Sequence, residues 1–302
     1  MSNALPGPDT WQYLKGVPQT RPTVVVLTAL ALEYAAVRSH AEDREELVHR
    51  DGTRVERGRL PGTDWYVALA ELGEGNRTAA ALATQIIDWL EPEAMLFVGV
   101  AGSLKDDIGL GDVVVGTKVY GIHGGKQTPN GFLVRPEAWP VSNALVSAAR
   151  SAVRDMSDVR AHLKPIASGD VVLADAESEI ARHLREHYND AAAIEMEGAG
   201  ALQAAHLNGQ LHALVIRGIS DSANAAKHEA DAAGSQERAA AQAASVAVAV
   251  LRKHQPRGGS SDSQEGPHRA GDGGATYGGD HIDFRNGTFY GPVVGKPTGR
   301  QQ

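Results

Sequence analysis

Short apolar runs alternate with helix-length amphipathic stretches through the first 254 residues, and few architectures accommodate that order. Thr23–Thr28 reads TVVVLT, a continuous apolar strand of the kind buried on both faces of a sheet. Further strands are expected at 65–71, 94–100, 112–119, 165–168 and 213–218. Between them, helices are expected at 31–41, 76–90, 142–155, 176–188, 197–207 and 236–254. The second helix is expected to place Ala79, Ala80, Leu82, Ala83, Ile86, Ile87 and Leu90 on one stripe. The last is alanine-rich, as suits a helix lying close against a sheet. Such alternation predicts an α/β fold with a largely parallel sheet.

Composition changes near His254. The last 48 residues hold 12 of the chain's 34 glycines, and their charges balance, so the net charge of −8 belongs to the first 254. An acidic chain lacks the basic surface that general nucleic-acid binding requires. The chain has no cysteine, which excludes disulfides, thiolate metal sites and a cysteine nucleophile. No apolar run approaches the roughly 20 residues needed to span a bilayer, and residues 1–22 lack the apolar core of a signal peptide. The expectation is a cytoplasmic protein without membrane or nucleic-acid partners, needing neither metal nor cofactor. Its expected parts are a leader (1–22), one domain (23–254), a Gly/Ser-rich linker (255–279) and a short terminal element (280–302).

Four segments place polar groups where strands end, which is where α/β sheets bind ligands. Thr28-Ala-Leu-Ala-Leu-Glu33 carries an acid one turn into the following helix. Gly99-Val-Ala101-Gly102-Ser103 is a small-residue turn that lets a ligand approach the backbone. Ile194-Glu195-Met196-Glu197-Gly198 sets two carboxylates in an apolar stretch, and Ile216-Arg217-Gly-Ile-Ser220-Asp221 puts an arginine and an acid on a buried strand. Taken singly, each could be a solvated acid, a helix-terminal charge or a structural ion pair. Other motifs carry less. Gly73-Glu-Gly75-Asn-Arg-Thr lacks the third glycine of a dinucleotide fingerprint. His183 and His187 have no further ligand in a zinc pattern.

In this order the segments resemble the purine nucleoside phosphorylase superfamily, in its methylthioadenosine/S-adenosylhomocysteine nucleosidase branch. The resemblance is carried by TALALEY, GEGNRTAAALAT, VGVAGSL with GLGDVVV, IASGDVVL, AIEMEGAG and IRGISDSA. It implies a three-layer α/β fold with a central mixed sheet flanked by helices, and cleavage of an N-glycosidic bond. Such cleavage expels a purine anion and leaves positive charge on the ribose, so acids suit it. By the match, Asp221 would protonate the purine, Glu33 would orient and deprotonate water, and Glu197 with the Met196 backbone and Arg217 would hold the ribose hydroxyls. Glu195, Ser220, Ala101 and Gly102 fall within the same segments, and Val172 and Leu173 would line the base pocket. Val172 and Val100 depart from the aromatic and hydroxyl residues common at those positions. The first strand–helix loop lacks the arginine that phosphorylases place there, which favours water over phosphate. His123 and Lys126, with Arg135 beyond them, fall in the region that approaches the 5′ substituent. As basic residues they would favour a 5′-phosphate, so a nucleotide is expected to be cleaved better than methylthioadenosine. The expected partners are a purine nucleoside or nucleotide and a second copy of the chain, as a homodimer or higher homo-oligomer. A phosphorylase and a catalytically inactive nucleotide-sensing scaffold remain as alternatives. The complete set Glu33, Glu197 and Asp221 favours the enzyme.

The terminal stretch GDHIDFRNGTFYGPVVG resembles the short amyloid-signalling, RHIM-like motifs that accompany bacterial immune-type receptors. Ile282, Phe284, Phe289, Val293 and Val294 could stack in register as cross-β, while Pro292 and the glycines oppose long strands. The resemblance implies an effector recruited through its tail by a receptor carrying a matching motif.

Overall fold

The computed structural model describes residues 22–129, 131–209, 211–222 and 234–256. The leader up to residue 21, most of the linker and the terminal motif lie outside the described residues.

Strand β1 (Thr23–Thr28) leads into α1 (Ala31–Arg38), and the hairpin of β2 (Glu42–Val48) and β3 (Arg54–Arg59) follows, then β4 (Tyr66–Glu71). Helix α2 (Asn76–Leu90) connects to β5 (Ala94–Ser103) and β6 (Val113–Gly121). A small hairpin of β7 (Gly125–Thr128) and β8 (Gly131–Val134) precedes β9 (Glu137–Pro140) and α3 (Asn143–Asp155). The chain continues through β10 (Ala161–Ser168), α4 (Glu179–His187), β11 (Ala193–Glu195), α5 (Gly198–Leu207), β12 (His212–Asp221) and a final helix, α6 (Ser235–Lys253).

The main sheet runs β11-β10-β6-β12-β5-β1-β4-β3-β2, with β9 beside β6. Strand β11 also pairs with the end of β5, so one half of the sheet closes on itself. Pairings β1–β4, β1–β5, β5–β12, β6–β10 and β10–β11 are parallel, whereas β6–β12, β5–β11, β6–β9, β2–β3 and β3–β4 are antiparallel. The sheet is therefore mixed, as the family resemblance implies, and not largely parallel as the alternation suggests. The alternation misses β2, β3 and β9, which pair antiparallel and lack long buried apolar runs, and it does not report that the two expected strands β6 and β12 pair antiparallel. Strand β2 is EDREELV, almost wholly exposed, and is joined to β3 by Arg57–Glu45, Arg54–Glu46 and Arg59–Glu42 ion pairs. A charged outer strand also discourages pairing with another sheet.

Burial on both faces explains the continuous apolar strands. Along β1, Val24 and Val26 join one core, while Val25 and Leu27 join the other. In β5 the division is Leu96 and Val98 against Met95 and Phe97, and in β12 Leu214 and Ile216 against Val215 and Ile219. This is the two-residue period of a strand, read on two buried faces. Helices α3 and α6 cover the first face through Leu145, Ala149, Ala243, Val246 and Val250. Helices α2 and α5 cover the other through Ala79, Ile86, Ala201 and Leu202. Helix α2 starts and stops where its stripe predicts, whereas α1 ends at Arg38, earlier than expected.

Candidate active site

Polar groups gather where the carboxyl ends of β1, β5 and β12 meet the ends of β10 and β11. Glu33 occupies the third position of α1 and its side chain turns back over the helix start. One oxygen, Oε2, accepts from the backbone N–H groups of Ala29 (2.8 Å) and Leu30 (3.0 Å), and Oε1 accepts from that of Val100 (2.7 Å). Three donors on two elements thus fix this carboxylate against the cavity. Alongside, β12 runs parallel to β5 with Arg217 opposite Gly99, and a register shift follows Ile219 that brings Asp221 opposite Gly102. Irregularities of this kind re-aim side chains near functional sites. Asp221 is buried, and its Oδ2 accepts from Ser220 Oγ at 3.2 Å.

Arg217 is fully buried and holds three carboxylates. Its Nη2 pairs with Glu195 Oε2 and lies 3.4 Å from Glu197 Oε2, and its Nη1 lies 3.9 Å from Glu33 Oε1. The guanidinium also sits over the Phe97 ring, 4.5 Å from its centroid. Burial alone would lower its pKa, but Glu195, Glu197 and Glu33 hold it above its ordinary range. Gly99 makes the cluster possible, because a Cβ there would collide with Arg217 Nη1 and Glu33 Oε1.

Glu195 ends β11 and accepts from the backbone N–H groups of Glu197 (3.1 Å) and Gly198 (2.8 Å), at the start of α5. Its charge is thus absorbed by a helix N-terminus and by Arg217. Glu197, two residues on, accepts at Oε1 from the Gly75 N–H at 3.0 Å. Gly75 precedes α2 with φ 99°, a left-handed conformation that glycine adopts without strain. Next to it, the Asn76 N–H donates to Asp170 Oδ1 (2.8 Å), while Asn76 Oδ1 accepts from Ser168 Oγ (3.0 Å) and the Gly200 N–H (2.8 Å). These bonds tie the starts of α2 and α5 to the loop after β10. The Gly73-Glu-Gly75-Asn turn, too incomplete for a dinucleotide fingerprint, therefore positions Glu197. In the sequence its signal was two glycines just ahead of a helix start, within the GEGNRTAAALAT segment of the family resemblance.

A cavity of about 190 Å³ opens here. Of the expected site residues, Glu33, Ala101, Gly102, Val172, Leu173, Glu195, Met196, Glu197, Ser220 and Asp221 line it, and Arg217 lies behind the wall. Val172 is 58% exposed at the rim. The structure does not bring His123 and Lys126 to this cavity. His123 lines a separate hollow with Trp139 and Asp170, and Lys126 is exposed on β7. The expected preference for a nucleotide, which rested on these residues, gains nothing from the wall. That wall carries Glu33, Glu74, Glu195, Glu197 and Asp221 and, among the described residues, no lysine, arginine or histidine. Glu74 and Gln236 also line the cavity and are not among the residues expected there.

Burial pushes the Glu197 carboxyl up from 4.5 to about 7; Arg217 opposes the rise, while Glu195 and Glu33 add to it. Three acids facing one guanidinium favour keeping a proton. A raised carboxyl contributes stability that is fully present below about pH 4.5 and is lost as the pH rises through about 7. Glu197→Gln stays neutral, so it is expected to be more stable than wild type at pH 8, by on the order of 1–3 kcal/mol. Urea unfolding of both proteins at pH 5 and pH 8 checks this; parallel pH dependences would contradict it.

Residues 23–252 match the Phosphorylase superfamily. The 5′-methylthioadenosine/S-adenosylhomocysteine nucleosidase of Chromohalobacter salexigens is 30% identical over 66% of this chain and 83% of its own length. The nucleosidase of the same name from Shewanella sediminis is 33% identical over 55% and 72%, respectively. Among solved structures, the Neisseria meningitidis nucleosidase in complex with methylthio-immucillin-A superposes with a TM-score of 0.66 at 26% identity, covering 76% of this chain and 98% of that one.

Proposed function

This chain belongs to the phosphorylase superfamily, and on that footing we propose that it is a nucleosidase that hydrolyses the N-glycosidic bond of an adenine nucleoside. The observation that carries hydrolysis over phosphorolysis is the wall itself, with five carboxylates and no cation among the described residues. A phosphate nucleophile would enter a field of its own sign, whereas water is indifferent to it. Negative wall charge also stabilises the positive ribose that forms as the base departs.

The residues divide the work by position. Asp221, hydrogen-bonded to Ser220 and lining the same cavity as Leu173, donates the proton to the departing base. Glu33, oriented by three backbone N–H groups, accepts a proton from the attacking water. Glu197 is held by Gly75 and Arg217 so that it can accept from the ribose hydroxyls. Glu195 is the carboxylate that Arg217 approaches most closely and it also accepts from the start of α5, so in this reading it positions the arginine. Adenine should be released in phosphate-free buffer from at least one of adenosine, methylthioadenosine and adenosylhomocysteine. Release that appears only on adding phosphate would overturn the hydrolytic assignment and support the phosphorylase alternative.

The tail supplies a second, separable reading, that of an effector recruited through a homotypic motif at residues 280–295. It rests on the apolar set Ile282, Phe284, Phe289, Val293 and Val294, with Asp280, Asp283 and Arg285 as the only Asp, Glu, Lys or Arg. The isolated peptide is expected to form fibrils with a spacing near 4.7 Å. Phe289→Asp should block them by repeating one charge in every layer and leave basal hydrolysis unchanged. A peptide that stays monomeric over a wide concentration range would contradict this reading. Self-association of the domain would cover exposed apolar side chains such as Leu207, Phe132 and Leu133, and sedimentation of the full chain tests it.

A further inference from the structure

Glu197 stands at the N-cap of α5, the position from which an acidic side chain ordinarily accepts from the first free N–H groups of a helix. Its side chain makes no such bond. The N–H of Gly198 donates to Glu195, that of Ala199 to Ser168 Oγ (3.1 Å) and that of Gly200 to Asn76 Oδ1 (2.8 Å). The first intrahelical bond is that of the Ala201 N–H to the Glu197 carbonyl, at 3.0 Å. Side chains from the end of β11, the end of β10 and the start of α2 thus stand in for the cap. The substitutes are themselves fixed. Ser168 is buried and donates to Asn76 Oδ1 at 3.0 Å, and the Asn76 amide donates to Asp170 Oδ1 at 3.2 Å. Gly200 admits this approach, because a Cβ there would collide with the Asn76 backbone carbonyl.

We infer that Asn76 and Ser168 are positioning residues for ribose recognition: by capping α5 in place of Glu197, they leave its carboxylate to the cavity. The inference rests on the nucleosidase reading, in which Glu197 accepts from the ribose hydroxyls. Glu197 holds the Gly75 N–H at Oε1 and approaches Arg217 at Oε2, and each carboxylate oxygen keeps lone-pair capacity for a further donor. Without Asn76 or Ser168, a buried N–H group at the start of α5 loses its acceptor, which costs more than the bond itself is worth. Turning Glu197 back onto its own helix relieves that cost. The helix then regains a cap, and the substrate loses its acceptor.

The test measures kcat/KM for the nucleoside turned over fastest among adenosine, methylthioadenosine and adenosylhomocysteine. Beside it stand the inhibition constants of adenine, which lacks the sugar, and of 2′,3′-dideoxyadenosine, which lacks both hydroxyls. Asn76→Ala and Ser168→Ala should each lower kcat/KM at least about 10-fold, while both inhibition constants stay within about 2-fold of wild type. Asn76→Asp combined with Asp170→Asn keeps an acceptor for the Gly200 N–H and an amide facing it, and should restore most of the activity. A general loss of packing would instead weaken nucleoside and inhibitors together and would not respond to that pair. Equal losses on all three, turnover unaffected by either alanine substitution, or a pair that restores nothing would overturn the inference while leaving hydrolysis intact. If the wild type releases adenine from none of the three nucleosides, the hydrolytic reading falls, and the inference with it.

Discussion

Replacing Asp221 with asparagine is expected to slow adenine release by at least about 100-fold, the lower range for loss of a positioned general acid. The substitution keeps the shape and lets Ser220 Oγ find an oxygen acceptor as it does now at 3.2 Å. What it removes is a group able to transfer a proton to the departing base. The effect should therefore fall on kcat, with KM little changed. It should also depend on the leaving group, since a base that departs readily needs less protonation and should lose less rate. Unaltered turnover in this variant would remove Asp221 from the proton-transfer role.

Arg217→Leu is expected to cost about 3–5 kcal/mol of folding stability, because it strands three buried carboxylates without their shared cation. Glu33, Glu195 and Glu197 are each no more than 5% exposed, so water cannot take over from the guanidinium. Lysine should rescue only part of the loss, since one ammonium cannot reach along Nη1 to Glu33 and along Nη2 to Glu195 and Glu197 at once. Denaturant unfolding at pH 7 measures the difference. A leucine variant within 1 kcal/mol of wild type would show that the cluster is not held together by Arg217.

The buried half of this molecule was legible in its sequence. Strands β1, β5 and β12 carry continuous apolar runs because both faces are covered, and α2 declares its stripe because one face is. The hairpin β2–β3 was not legible, since arginine–glutamate pairs hold it in solvent and leave no apolar period to detect. In the site, Glu33, Glu197 and Asp221 were identified as types at strand ends, and all three line the cavity. Their arrangement depends on contacts that no local pattern reports, such as the Gly75 N–H on Glu197, 122 residues away in sequence. Glu195 shows the same limit in another way. Two glutamates flanking one methionine look equivalent along the chain, yet the first is consumed by the start of α5 and by Arg217. Gly198 permits this, since a Cβ there would lie 2.8 Å from Glu195 Oε1. His123 and Lys126 carry chemistry suited to a phosphate but do not line this cavity, so residue type alone does not place them in the site.

The central claim is that water, not phosphate, receives the ribosyl group. The direct measurement is product identity by mass spectrometry after turnover of adenosine with inorganic phosphate present in large excess. Hydrolysis yields adenine with the free pentose, at a rate unchanged when phosphate is omitted. A sugar 1-phosphate as the product, with turnover lost when phosphate is removed, would contradict it.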